Sequence, residues 1–324
     1  MSTNDAMPQG FHLLGGLPQK SPDLAASICF IIAYSLLSPL VIWRVAIRRT
    51  RLAVLIRPGI VLLVRIATFV IRALEADGKA LSTGLITTEQ VLLYLGLIPL
   101  CEPLLALTRY HIRRFWTPSP REGDEKPTKS TIDRGLRLLE LALLGAMVLG
   151  VTIGSKTGSA MNDPSQMSSL TSMRYALYGL TLLVVVGGPL LATYATLQHG
   201  LPQRPVLFLY ACAACLAIAT IYKLIISLHP VSSVSHGAKA AFYLFNSLPE
   251  FLCTTLYFAF DLDALFDVNE GAWKRKVDKQ MDKGKWTGPY VPKEAWRMQA
   301  AGGDVAMDSR ASATLSGPPS PYKV

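Results

Sequence analysis

The stretch LAVLIRPGIVLLVRIATFVIRAL, residues 52–74, decides the fold class, because it is apolar almost throughout and its only charged side chains are arginines. A transmembrane helix needs about 20 mainly apolar residues, and this run is long enough. Inside the hydrocarbon core every backbone N–H and C=O must be hydrogen-bonded within its own segment, which favours a helix over a strand. The run therefore predicts a helix that crosses a lipid bilayer.

Six further runs share this length and apolar character. They cover residues 24–43, 88–108, 136–156, 173–197, 206–226 and 241–262. The whole chain is 51% hydrophobic and only 17% charged, which is too apolar for a soluble protein of this length. We therefore predict an all-α polytopic membrane protein, a bundle of seven transmembrane helices.

The basic residues lie between the apolar runs, so the net charge of +10 is interpreted as a topology signal and not as a nucleic-acid surface. The first and third connections and the segment after the last run are rich in Arg and Lys, whereas the second, fourth and sixth contain almost none. The pattern predicts a non-cytoplasmic N-terminal tail (1–23), a transmembrane domain (24–262) and a basic, flexible cytoplasmic tail (263–324). We expect the plasma membrane as the location, and the basic loops and tail offer a surface to a cytoplasmic partner.

Arg65 and Glu250 are predicted to pair near the middle of the bilayer. A rise of about 1.5 Å per residue places Arg65 roughly 20 Å and Glu250 roughly 18 Å from the inner edge. An ionisable group at that depth costs about 2.5–3.5 kcal/mol on insertion scales, so it needs a partner, a wet cavity or a function. Pro249 beside Glu250 frees a backbone carbonyl, as in the broken helices that line cavities. The pair is either a substrate-binding or gating element or purely structural.

Two further polar groups are expected at the ends of the helices. An outer polar mouth above the central pair would combine Arg72, Glu75, Glu89 and Lys223. An inner polar seam would combine Arg57, Glu102 and Glu140, which the same count of residues places at similar depths near the inner edge. The alternative for both groups is ordinary snorkelling of long side chains to the headgroups.

An internal repeat is suggested by matched residues at nearly constant separation. Arg72 corresponds to Lys223, Tyr94 to Tyr243 and Pro99 to Pro249. A duplication would make helices one to three and five to seven parallel copies joined by the fourth, a 3+1+3 arrangement. Chance similarity between apolar segments is the alternative.

Neither a metal site nor a cofactor site is predicted. The five cysteines all fall within apolar runs, so we expect no disulfides. The five histidines lie in loops or at interfaces, without metal-ligand spacing on one helix.

The segment FVIRALEADGKALSTGLITTEQVLLYLGLIPL, residues 69–100, resembles the signature of the fungal lipid-translocating exporter family. The matching residues, in order, are Arg72, Glu75, Gly78, Glu89, Tyr94 and Pro99. In that family the signature lies late in the chain, whereas here the better match is early; the later copy has Lys223 for Arg and Asn246 where Asp is usual. The resemblance implies a seven-helix protein associated with release of sphingoid bases and resistance to aminocholesterols.

Three function classes follow from these observations. The first is a protein that binds and moves, or helps release, an amphiphilic lipid or a toxic amphiphile; without a nucleotide-binding loop, its transport would be passive or ion-coupled. The second is a seven-helix receptor or sensor. Arg109 and Tyr110 superficially match the last two residues of the D-R-Y motif of such receptors, but the acidic first residue is missing. The third is a membrane-embedded lipid-modifying enzyme. We expect the first, a non-enzyme whose partners are membrane lipids and a small amphiphilic ligand.

Overall fold

The computed structural model is helical throughout the part of the chain that it describes, residues 14–16, 18–46, 53–78, 83–114, 127–162, 164–199, 201–228 and 235–266. The chain divides into two units, Met1–Gly271 and Ala272–Val324, and every described residue belongs to the first. The predicted cytoplasmic tail lies outside the described residues from position 267 onward, as does most of the predicted N-terminal tail.

Ten α-helices form the fold, together with two 3-10 turns and one π-helical turn in the described ranges. In chain order they are α1 (Lys20–Ala46), a 3-10 turn (Ala53–Leu55), α2 (Ile56–Ala76), α3 (Thr83–Leu95), α4 (Ile98–Arg114), α5 (Pro127–Asn162), a 3-10 turn (Pro164–Gln166), α6 (Met167–His199), α7 (Gln203–Leu228), α8 (His236–Phe242), the π turn (Tyr243–Ser247), α9 (Leu248–Ala259) and α10 (Leu262–Phe266).

Six helical stretches are long and apolar enough to cross a membrane. They are Lys20–Val45, Ala53–Ala76, Gly84–Ile112, Thr131–Thr157, Ser168–Gln198 and Gln203–Leu228. The chain is therefore a multi-pass, all-α membrane protein, as the apolar runs predicted. The seventh predicted run, 241–262, is helical as far as Ala259, but it is made of three shorter consecutive segments: α8, the π turn and α9.

The third predicted helix is broken near its middle, between α3 and α4. The break falls at Gly96, where a Cβ atom would lie 2.5 Å from the Nη2 atom of Arg65. Pro99 follows in the first turn of α4, where a missing backbone N–H costs nothing because that group has no intrahelical partner. The break therefore lets an arginine of α2 lie directly against the backbone of α3.

Consecutive helices pack against each other, and α4 lies at the centre. α1 packs on α2, α5 on α6 and α6 on α7, while α4 contacts α2, α5, α6 and α7. α9 packs mainly on α7 and also contacts α1 and α2. Leu36, Leu197 and Leu207 are more than 70% exposed on the outer faces, as expected of side chains that meet lipid.

Candidate functional site

Arg72 of α2 lies at the centre of a fully buried ionic cluster. Its guanidinium donates from Nη1 to Glu89 Oε1 (2.6 Å), from Nη2 to Asp23 Oδ1 (3.0 Å) and the Gly15 carbonyl (2.6 Å), and from Nε to the Tyr243 hydroxyl (3.0 Å). Hydrogen bonds between ionised groups are about twice as strong as neutral ones. Arg72 thus connects α1, α2, α3 and the π turn.

Asp23 is the second centre of this cluster. It lies in the first turn of α1, with no exposed surface. Lys239 of α8 donates to its Oδ2 (2.6 Å), and the Tyr243 hydroxyl donates to its Oδ1 (3.0 Å). The backbone N–H of Gln19 completes the set at 2.9 Å. These contacts join the first spanning helix to the last helical segments of the bundle.

Glu75 completes the group that we call the outer cluster: Asp23, Arg72, Glu75, Glu89 and Lys239. The Glu75 carboxyl lies beside that of Glu89. The two carboxyl groups are close enough to share a hydrogen bond, and Glu75 is only 2% exposed. Fully ionised, the outer cluster has three carboxylates and two cations, so one negative charge is in excess.

A short segment before α1 covers the outer cluster. The Leu14 N–H donates to Gln90 Oε1 (2.9 Å), and Gln90 Nε2 donates back to the Leu14 carbonyl (3.3 Å). Gly15 has φ +77°, and a Cβ there would lie 2.8 Å from Arg72 Nη2 and 2.9 Å from Phe242 Cγ. Only glycine fits this backbone conformation without strain. The described part of the N-terminal segment is therefore packed into the bundle, and α1 begins at Lys20 instead of residue 24.

A second group, the central cluster, comprises Arg65, Lys223 and Glu250, all at most 1% exposed. Arg65 Nη2 forms an ion pair with Glu250 Oε2. Lys223 Nζ donates to Glu250 Oε1 (2.9 Å) and to the Leu93 carbonyl (3.0 Å). One carboxylate is shared by two cations, so the central cluster carries one excess positive charge when ionised.

The π turn holds an unsatisfied polar side chain about one helical turn before Glu250 of the central cluster. Asn246 has no exposed surface, and neither its amide oxygen nor its amide nitrogen finds a partner among the described residues. It precedes Glu250 by four residues on the same helical stretch. The buried Tyr34 hydroxyl, within electrostatic reach of Arg65 and Glu250, likewise has no described partner. Such atoms are rare in native proteins, and π turns occur frequently at functional sites.

The structure brings the predicted central pair of Arg65 and Glu250 into contact, and Arg72, Glu75 and Glu89 lie together as expected. Lys223 was wrongly assigned to the outer mouth, because it belongs to the central cluster. α7 continues to Leu228, so Lys223 lies more than one turn inside the helix end. Its long side chain then reaches inward to Glu250.

The predicted inner seam is two separate ion pairs. Arg57 pairs with Glu102, and their side chains are 49% and 27% exposed. Glu140 pairs instead with Arg109, on α4, with both side chains 36% exposed. The sequence count gave these residues similar depths, but it could not give the helix faces, which decide the pairing. Arg109 of the superficial receptor motif is thus held by an ion pair.

Sequence reasoning missed Asp23, Lys239 and the role of Tyr243. Asp23 was assigned to the N-terminal tail, and Lys239 to the connection before the last run. Both lie just before an apolar run on the same predicted side of the membrane and have opposite charges. That combination was the available signal for a pair between the first and last spans.

No group of three or more His, Cys, Asp or Glu side chains within the described ranges could hold a metal ion. All five cysteines are free, three of them buried. His111 Nε2 lies 2.9 Å from Thr196 Oγ1, a contact between α4 and α6 that explains its burial.

No protein-family model and no curated protein matches this sequence.

Proposed function

We propose that this protein binds an amphiphile with a charged headgroup and moves it across, or releases it from, the membrane. The observation that carries the proposal is the chain of buried charged groups formed by the outer and central clusters inside a multi-pass bundle. Ionisable residues within a membrane are costly and rare, and they commonly mark substrate pathways and proton relays. The activity is binding and movement, and it needs no cofactor.

Unsatisfied polar atoms in this network support a binding role over a purely structural one. A structural network gains stability only when every member is paired. Here the Asn246 amide and the Tyr34 hydroxyl are buried without a described partner. These groups could bind the polar part of a ligand, and the flanking helices could separate to admit its chain. The resemblance over residues 69–100 supports sphingoid bases as the first lipids to test.

The proposal includes seven crossings, the seventh formed by α8, the π turn and α9. These segments follow one another without a gap and pack on α7, α1 and α2. The internal 3+1+3 repeat also stays a proposal. It is supported by the nearly constant separation in the sequence of Arg72 from Lys223, Tyr94 from Tyr243 and Pro99 from Pro249.

Seven crossings put the two flanks of the bundle on opposite sides of the membrane. We expect a tag placed before α1 to be accessible on intact cells, and a tag placed after α10 only after permeabilisation. A tag between α1 and α2 serves as the cytoplasmic control. Accessibility of both flanking tags from one side would instead mean six crossings and would exclude the plasma-membrane orientation proposed here.

Reconstituted vesicles test the proposed movement directly. A fluorescent sphingoid base is loaded into the inner leaflet, and its appearance outside is followed by extraction with albumin. We expect faster extraction from vesicles that contain the protein than from protein-free vesicles, because a polar path replaces the cost of drawing a headgroup through hydrocarbon. The function would be refuted if extraction were no faster with the protein than without it, both for sphingoid bases and for a panel of single-chain lipids with other headgroups.

A further inference from the structure

The charge of the central cluster indicates which headgroup it would hold. This inference rests on the proposed function and names the chemical class of its ligand. Arg65 and Lys223 carry two positive charges, whereas Glu250 supplies one negative charge. Burial of net charge is expensive in a medium of low dielectric constant, so the cluster favours a ligand that supplies a further negative charge.

The hydrogen-bonding groups around the cluster have the same bias. Arg65 Nε, the Tyr34 hydroxyl and Asn246 Nδ2 are donors without a described partner. Asn246 Oδ1 is an acceptor that likewise has no described partner. A ligand rich in acceptor oxygens would satisfy the donors, and a phosphate or carboxylate has such oxygens.

The position of the cluster agrees with a headgroup site. Arg65 comes from α2, Lys223 from α7 and Glu250 from α9, while Tyr34 of α1 packs edge-on against Phe251 with ring centroids 5.1 Å apart. The cluster therefore lies where several separate helices meet. Arg72 lies seven residues, or about 10 Å of helix, from Arg65.

We propose that the central cluster is a binding site for the anionic group of a single-chain amphiphile, a phosphate or a carboxylate. Arg65 and Lys223 contact the anion, and the Asn246 amide and the Tyr34 hydroxyl donate to it. The outer cluster has the opposite charge excess and disfavours the same group. A cationic amine is disfavoured at the central cluster for the converse reason.

Binding to the full chain in lipid nanodiscs tests this site. The probes are lysophosphatidate, monoolein and sphingosine, with inorganic phosphate as a competitor without an acyl chain. We expect lysophosphatidate to bind about tenfold more tightly than monoolein, as one additional charge-assisted hydrogen bond would give. Lys223→Gln should abolish this preference and leave monoolein binding unchanged.

The variants are chosen so that a loss of folding can be told apart from a loss of the binding site. Lys223→Gln leaves a neutral Arg65 and Glu250 pair, and Arg65→Gln leaves a neutral Lys223 and Glu250 pair, so each should lose less stability than Arg72→Gln, and binding is compared per amount of folded protein. Lys156→Gln removes an exposed positive charge from α5 and should leave the preference intact.

The following outcomes decide whether the central cluster binds an anionic headgroup. A lysophosphatidate preference that depends on Lys223 supports the site. Tighter binding of sphingosine, or a preference that survives Lys223→Gln and Arg65→Gln, overturns the anion site but leaves the proposed function standing. Competition by inorganic phosphate at equal concentration supports an anion site and argues against an amphiphile. Binding of none of the probes refutes both proposals.

Discussion

Replacing Arg72 with glutamine is expected to destabilise the protein more than any other single change of charge in the bundle. Arg72 is fully buried and donates to Glu89, Asp23, the Gly15 carbonyl and Tyr243. Removing one partner of a buried ion pair costs about 3–5 kcal/mol, because the remaining charge stays buried without a partner. We expect the apparent melting temperature in detergent to fall by about 10 °C.

Arg57→Gln is the matched control for this variant. It is the same substitution on the same helix, but the Arg57 side chain is 49% exposed and its partner Glu102 is 27% exposed. Because part of each side chain is exposed, neither charge is fully enclosed by protein, and the melting temperature should change less than in Arg72→Gln. Equal shifts for Arg57→Gln and Arg72→Gln would show that the outer cluster does not stabilise the fold.

The charge state of the cluster explains why a second substitution should partly restore stability. In Arg72→Gln, three carboxylates face Lys239 alone. Adding Glu89→Gln removes one of them, and the double variant should melt at a higher temperature than Arg72→Gln by itself. Such non-additivity is expected for directly contacting residues. Strictly additive losses would mean that Arg72 acts through its packing against Phe242, whose ring centroid lies 4.7 Å away.

The membrane class and the central pair could be predicted from sequence because both depend on distance along the chain. A helix rises by a fixed amount per residue, so counting residues gives depth. This count placed Arg65 and Glu250 at matching levels, and they pair in the structure. The same count placed Arg57 level with Glu102, which are also paired.

The remaining contacts depend on features that the depth of a residue in the membrane does not reveal. Lys223 was misassigned because a lysine stem of four methylene groups moves its charge away from the depth of its Cα atom. Asp23 was missed because α1 begins at Lys20, before the apolar run starts. The packing of Gly15 against Arg72 depends on a turn whose backbone has positive φ, and an isolated glycine in a polar segment does not reveal that.

When fully ionised, the two clusters have opposite excess charge, so a charged headgroup would meet a different environment at each of them. A ligand with an anionic group is attracted to Arg65 and Lys223 and repelled by Glu75 and Glu89. Arg65 and Arg72 share one helix face, since seven residues make close to two turns. In the proposed movement, a charged headgroup would therefore be held more strongly at one cluster than at the other, while the net direction of passive passage would follow the concentration gradient of the lipid.

Glu250→Gln is expected to slow lipid movement at least about tenfold, which is the effect of losing one charge-assisted hydrogen bond of about 1.5–3 kcal/mol. Glu250 is the shared partner of Arg65 and Lys223, so its neutralisation leaves two buried cations without a counter-charge. An anionic headgroup bound to Arg65 and Lys223 would then have no carboxylate to compete with it for these cations, so its release would be slower. The rate of extraction from reconstituted vesicles, divided by the amount of folded protein, measures the effect.

Two companion variants separate this role from stability. Glu102→Gln removes the same charge from a partly exposed ion pair and should leave the extraction rate within about twofold of wild type, as surface pairs contribute little. Glu250→Asp keeps the charge with a shorter side chain, so it should retain the fold and recover part of the rate. If Glu250→Gln instead moves lipid at the wild-type rate while its melting temperature falls, the central cluster is structural, because its charge would then affect stability without affecting passage.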